Sequence, residues 1–148
     1  MKKHLRFLSA LLAVVVGTTL LTGCGDDKDE PVSSGELPVK ARTFIGQYYP
    51  TARIVSTTKD KDDDEVTLSE GTRIDFDKAG EWTDVDAVTG MTVPSGFYPA
   101  PIDNYVSTTY PGSGINEISR ETYGYEIELL TGTELKFNSE GAFCGYDR

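Results

Sequence analysis

The sequence predicts an α+β fold of two tandem α-β-β-β-β repeats, a two-layer arrangement with two helices on one face of a long antiparallel sheet. Three observations predict it. Residues 37–87 fall on residues 98–148 without a gap, and what coincides is apolar spacing and turn glycines. Tyr49-Pro50 meets Tyr110-Pro111, Leu68 meets Leu129, Gly71-Thr72 meets Gly132-Thr133, Phe76 meets Phe137 and Gly80 meets Gly141. Such self-similarity marks a duplicated supersecondary unit. Each copy also opens with a helical apolar stripe bracketed by prolines, and each continues with segments in which apolar and polar residues alternate.

The first helix starts at Pro38, where a missing N–H costs nothing. Val39, Ala41, Phe44, Ile45 and Tyr48 trace its stripe, and Pro50 ends it. In the second copy Pro99 and Pro101 open, Ile102, Tyr105, Val106 and Thr109 follow, and Pro111 closes. The first strands, 54–58 and 115–121, carry the weakest pattern. Next, Val66 and Leu68 alternate with Glu65, Thr67 and Ser69, and Ile74 and Phe76 alternate with Arg73, Asp75 and Asp77. Tyr125, Ile127, Leu129, Leu135 and Phe137 repeat the pattern among Glu126, Glu128, Glu134, Lys136 and Asn138. Period two with one polar face indicates half-buried antiparallel strands.

Turn chemistry suggests a register. A three-residue turn around Gly71 is expected to set Leu68 opposite Ile74 and Val66 opposite Phe76. The second copy then pairs Leu129 with Leu135 and Ile127 with Phe137. A type I turn with a glycine bulge at residues 77–80 sets Phe76 opposite Trp82, and its counterpart sets Phe137 opposite Phe143. Val85 and Tyr146 each follow by three residues. Strict alternation turns them to the open face, a bulge returns them to the core, and the sequence leaves both open. Residues 88–98 read as a linker. A unit of about 50 residues is small for a core of its own, so residues 37–148 are expected to form one domain with a shared core.

Residues 1–23 read as a targeting segment. Lys2, Lys3 and Arg6 precede an apolar run from Phe7 to Val16, shorter than the roughly 20 residues of a membrane span. Leu21-Thr22-Gly23-Cys24 resembles the lipobox of bacterial lipoproteins, which implies cleavage before Cys24 and acylation of its thiol. Two or more acyl chains, at ~0.8 kcal/mol per buried methylene, anchor stably. The membrane is thus the first expected partner, and the expected address is an outer-membrane lipoprotein facing the periplasm or the cell surface. Residues 24–36 are expected to be a disordered acidic tether. Within it Lys28-Asp29-Glu30 resembles an acidic surface-export signal, and reads as readily as solvated linker. The chain has 24 acidic against 14 basic residues and a net charge of −10, which becomes more negative once Lys2, Lys3 and Arg6 leave. Such a charge excludes nucleic acid as a partner.

Catalytic constellations are missing. The single histidine is His4, so a processed chain builds no Ser-His-Asp or Cys-His pair and no zinc set. No phosphate loop is present. No catalytic residue and no cofactor are assigned, and the chain reads as a non-enzyme. The carboxylates read as a solvated face, with a small carboxylate-dependent hydrolase as the less favoured alternative. Asp60, Asp62 and Asp64 have the one-three-five spacing of a calcium loop. The pattern then fails at Glu65, where glycine belongs, and at Gly71, where glutamate belongs. They form a weak calcium candidate, with a calcium-dependent surface structural protein as the corresponding alternative. Once Cys24 is acylated, Cys144 is alone and is expected to be a buried thiol. Tyr123 at a hairpin tip and Tyr146 on the last strand are the candidate partner-binding groups of the open face, since tyrosine offers rigid area at little entropic cost.

The pattern of Tyr110-Pro111, Ile115, Tyr125 to Leu129, Gly132 to Phe137 and Gly141 to Phe143 resembles the beta-lactamase-inhibitor-like, PepSY-like family of bacterial envelope lipoproteins. The first copy carries the likeness chiefly in residues 81–86. The resemblance implies a fold like that of the secreted beta-lactamase inhibitor protein, whose concave sheet grips an enzyme. It also implies kinship with PepSY modules of protease propeptides. The expected function is therefore a non-catalytic, lipid-anchored binding module of the cell envelope with an envelope or secreted protein as partner. Inhibition of a peptidase or hydrolase is the sharpest form of that expectation.

Overall fold

The computed structural model describes residues 37–147. The expected signal peptide (1–23), the lipidation site Cys24 and the tether (24–36) lie outside the described residues. Two helices, α1 (Val39–Tyr48) and α2 (Ala100–Thr109), accompany eight strands. These are β1 (Ile54–Lys59), β2 (Asp63–Leu68), β3 (Arg73–Asp77) and β4 (Trp82–Asp86), then β5 (Ile115–Glu121), β6 (Gly124–Leu129), β7 (Glu134–Asn138) and β8 (Phe143–Tyr146). All eight strands form one antiparallel sheet whose spatial order is the chain order. Both helices cover the same face. Among the described residues no helix is long and apolar enough to cross a membrane.

The repeats build their cores alike. Phe76 and Phe137 are both fully buried. Phe76 lies edge-on to Phe44 of α1 at 5.8 Å, and Phe137 edge-on to Tyr105 of α2 at 5.5 Å. Each helix start rests on a turn glycine. Gly80 and Gly141 have φ of +82° and +83°, a conformation glycine adopts without steric cost. A Cβ on Gly80 would stand 2.6 Å from Cβ of Pro38, and one on Gly141 would stand 2.9 Å from Cβ of Pro99. The missing side chain is what lets each hairpin tuck beneath its helix. The same turns are pinned by one acceptor each. Asp77 Oδ1 accepts from the N–H groups of Ala79 and Glu81, and Asn138 Oδ1 from those of Glu140 and Ala142.

A single lateral row on the helix side runs from Thr57 through Val66, Ile74, Val85, Ile118, Ile127 and Leu135 to Tyr146. One core thus spans both repeats. Residues 88–98 belong to it rather than forming a loose linker. Val93 and Tyr98 are buried, and Phe97 packs edge-on to Trp82 at 4.9 Å. The Asn116 amide fastens the start of this segment by donating to the carbonyls of Ala87 (3.0 Å) and Met91 (2.8 Å).

The structure corrects the expected register at the glycine turns. Leu68 N–H donates to Thr72 O at 2.8 Å, so those two residues close the three-residue turn. Val66 therefore faces Ile74 and Asp64 faces Phe76. In the second copy Ile127 faces Leu135 and Tyr125 faces Phe137. A shift of two preserves which face each residue takes, so the fold survives the error. Phe76 opposite Trp82 and Phe137 opposite Phe143 are as expected.

Bulges settle the open question of Val85 and Tyr146. Between Phe76↔Trp82 and Asp75↔Asp84 the register slips by one, and Val85 returns to the core, fully buried. An equivalent slip in β7–β8 turns Tyr146 to the helix side opposite Leu135. It stays 57% exposed, because β8 is an edge strand. Cys144 is exposed, not buried. It lies one residue after Phe143, whose ring packs under α2, and so takes the other face.

Candidate functional site

The face without helices is the surface on which the chain concentrates charge. Its position follows from the register alone, since residues paired across antiparallel strands leave the sheet on the same side. One row places Glu65, Asp75, Asp84, Ser119, Glu126 and Lys136 side by side from β2 to β7. The next row places Thr67, Arg73, Asp86, Glu117, Glu128 and Glu134 side by side over the same strands. In these rows eight carboxylates stand against two cations, and both cations are engaged. Arg73 forms an ion pair with Asp86. Lys136 Nζ lies 2.7 Å from Asp147 Oδ1 and 3.2 Å from Glu126 Oε1.

The electrostatic centre of the face is the pair Asp75 and Asp84, directly opposite one another on β3 and β4. Both are half-buried. Burial, then the charges of Glu117, Asp75 and Asp86, push the Asp84 carboxyl up to about 8, against a smaller opposing effect of Arg73. Burial and then Glu65 push Asp75 up to about 6. Partial desolvation and like charges act in the same direction on an acid. The expectation that the carboxylates form a solvated face is therefore corrected for Asp75 and Asp84.

Tyr123 stands at the turn between β5 and β6, 45% exposed. Its ring lies 5.9 Å from the Lys136 ammonium, and burial followed by its hydrogen bond to Glu126 raises its hydroxyl pKa. It sits over the rim of the acidic face, where the sequence placed it. Tyr146 does not. Its hydroxyl lies 3.1 Å from that of Tyr110, at the end of α2, and its ring lies 5.4 Å from Phe143. The two tyrosines are on opposite sides of the sheet.

Asp60, Asp62 and Asp64 do not converge. Asp64 is 3% exposed and turns to the helix side. There Lys78 Nζ donates to Asp64 Oδ1 at 2.8 Å, to Asp60 O at 2.6 Å and to Asp63 O at 2.7 Å. An ammonium thus ties together the hairpin that the spacing suggested for calcium. Among the described residues no group of three or more His, Cys, Asp or Glu is placed to share a metal ion. Sequence reasoning missed Asp84, Asp86 and Glu117. For Asp84 and Asp86 the signal was the apolar pair Trp82 and Val85 at a spacing of three, which requires a bulge if both face the core.

A family model described as "Putative beta-lactamase-inhibitor-like, PepSY-like" matches residues 25–74 and 62–144. Three solved structures are similar over their full length. A "putative periplasmic protein of unknown function" from Bacteroides vulgatus is 30% identical, covers 82% of this chain and 100% of its own, and has a TM-score of 0.77. A "putative calcium-regulated periplasmic protein" from Bacteroides thetaiotaomicron is 32% identical over 84% of this chain and 100% of its own, with a TM-score of 0.77. A second "putative periplasmic protein" from Bacteroides vulgatus is 32% identical over 84% and 100%, with a TM-score of 0.74. None of the curated proteins matches the chain.

Proposed function

The chain belongs to the beta-lactamase-inhibitor-like, PepSY-like family, and from that premise we propose that it is a non-catalytic binding module of the cell envelope whose open sheet face holds a cationic segment of a protein partner. The observation that carries this reading is the pair of acidic rows on a face no helix covers. Rigid strands fix the carboxylates in place, and complementary charge steers and orients a partner more than it tightens the complex. Tyr123 at the rim supplies an aromatic anchor of the kind that dominates binding energy. The family likeness makes a peptidase or hydrolase the partner class to examine first. Acylation at Cys24 would hold the module at the membrane.

The acylated protein, used as bait in detergent-solubilised envelope, tests the face. At pH 8.5, Glu65→Gln, Asp75→Asn and Asp84→Asn together should abolish capture of the wild-type partner, and raised salt should weaken it. Lys40→Gln, which removes the 2.6 Å ion pair with Glu81 beside α1, should leave capture unchanged. Equal capture by the neutralised variant sinks the reading. Separately, Cys24→Ala should release the protein from the membrane fraction, and wild-type retention of that variant would dismiss the anchor.

Calcium regulation is a second reading, favoured by the description of the Bacteroides thetaiotaomicron relative and by the acidic rows. Calcium takes six to eight oxygen ligands, and no such convergence exists among the described residues. Calorimetric titration with calcium alone decides it, since saturable binding at one site would put this reading first.

A further inference from the structure

We propose that the open face is gated by protons: the cross-strand pair Asp75 and Asp84 keeps protons in mildly acidic surroundings and sheds them as the medium becomes neutral and then alkaline, so that the face reaches full negative charge only in the upper part of that range.

The geometry by itself favours proton retention by this pair. Asp75 and Asp84 are directly paired in β3 and β4, which places two carboxyl groups side by side on one face. From β2, Glu65 faces Asp75, and Asp63, two residues along the same side, adds its charge. From β3 comes Arg73, two residues along the same side. β4 itself adds Asp86, and β5 adds Glu117 opposite Asp86 and the neutral Ser119 opposite Asp84. Of these neighbours Arg73 is the positive one, and its guanidinium is tied to Asp86. Half-burial and crowding by like charge both favour the neutral acid. The upward shifts of both carboxyls agree with this arrangement. Interacting groups titrate as a pair, so the two protons leave in two steps that belong to the pair. The described residues contain no histidine, so no imidazole masks the transition.

Two consequences follow, with opposite signs. In the folded chain both acids hold their protons to higher pH than in the unfolded chain, where they lose them near pH 4. The folded state therefore binds more protons between about pH 4 and pH 8, and stability falls as pH rises through that window. Binding of a cation runs the other way. A positive group prefers the ionised face, displaces the proton and binds more tightly as pH rises. This second consequence rests on the proposed function, whereas the first does not.

The acylated protein in detergent serves for the test. Carboxyl carbon chemical shifts followed from pH 3 to pH 9 should give Asp84 a midpoint above 7 and Asp75 a midpoint above 5. In Asp75→Asn the Asp84 midpoint should drop, because Asp75 is already ionised when Asp84 gives up its proton. The melting temperature of the wild type should fall between pH 5.5 and pH 8.5, and Asp84→Asn should flatten that slope. Midpoints near 4 for both acids overturn the gate and leave the cationic-partner reading intact. A hexa-arginine peptide is the binding probe, expected to bind several-fold more tightly at pH 8.5 than at pH 6. Should the acids titrate high while affinity for the peptide stays constant, the gate stands for stability and the cationic-partner reading is overturned.

Discussion

The two repeats share a skeleton and differ in almost everything polar. Phe76 and Phe137, Gly80 and Gly141, and the bulges after Trp82 and Phe143 coincide in three dimensions. At equivalent places, however, Asp64 with Lys78 becomes Tyr125 with Ser139, Asp75 becomes Lys136, Arg73 becomes Glu134 and Asp84 becomes Gly145. Even the core row carries Thr57 where the second copy has Ile118. Both are buried, and the Thr57 hydroxyl has no hydrogen-bond partner. Position in the sheet explains part of the difference. β4 lies between β3 and β5 and must bury Val85, whereas β8 is an edge and leaves Tyr146 exposed. The fold depends on apolar residues and turn glycines, so charges were free to diverge. The carboxyls pushed highest now lie in the first repeat, at its junction with the second.

The firmest part of the likeness is the pair of buried rings. Phe76→Ala and Phe137→Ala should each cost about 3–5 kcal/mol through cavity formation, read from denaturant midpoints. Both variants should unfold in one transition, because the core is continuous. Two transitions would break the comparison by showing independent halves. The Asp64–Lys78 clasp tests the difference. Lys78→Met leaves a buried carboxylate without its cation and should cost about 2–3 kcal/mol, toward the lower end for a broken buried pair because Lys78 is half-exposed. Importing the second repeat's residues, Asp64→Tyr with Lys78→Ser, should recover part of that loss. A double variant less stable than Lys78→Met alone would show that the two hairpins are not interchangeable.

A third test concerns the charges of the junction. Asp84→Asn should stabilise the protein by on the order of 2–3 kcal/mol more at pH 8.5 than at pH 5.5, since each pH unit of differential protonation is worth ~1.4 kcal/mol. Equal effects at the two pH values would remove the asymmetry. The smallest effects belong to the tyrosines. Tyr123→Ala should change stability by less than about 1 kcal/mol, as surface positions do, while weakening capture of a partner. Tyr146→Ala, on the helix side, should leave capture through the open face unchanged. The reverse result would move the binding surface to the other side of the sheet.

Much of the skeleton is legible in the sequence because it is written in residue types that do one thing. Prolines at 38 and 99 start helices, Gly71, Gly80, Gly132 and Gly141 turn the chain, and alternation sets the strands. Bulges leave no such mark. An extra residue in β4 has no composition of its own, yet it decides that Asp84 and Asp86 face outward and Val85 inward. The acidic centre was hidden for that reason, and Glu117 lies behind a similar slip in β5. Cys144 misled because its neighbours in sequence are aromatic, while its neighbours in space are set by the face it takes. Residues 88–98 look like a linker by their glycines and prolines, and it is the single side chains of Val93, Phe97 and Tyr98 that make them core.

The identity of strand order and chain order has a consequence for how the molecule comes into being. Each strand after the first pairs with the one before it in sequence, so apart from β4–β5, which meet across α2, the contacts that build the sheet are short-range along the chain. Local pairing shortens the search for the native state, and the β4–β5 junction is the one place where a strand must wait for a partner beyond an intervening helix. A chain delivered N-terminus first can add one hairpin at a time to an edge that already exists. The unpaired edge then travels along the growing sheet until β8 ends it, four residues long, offering little backbone for another chain to join.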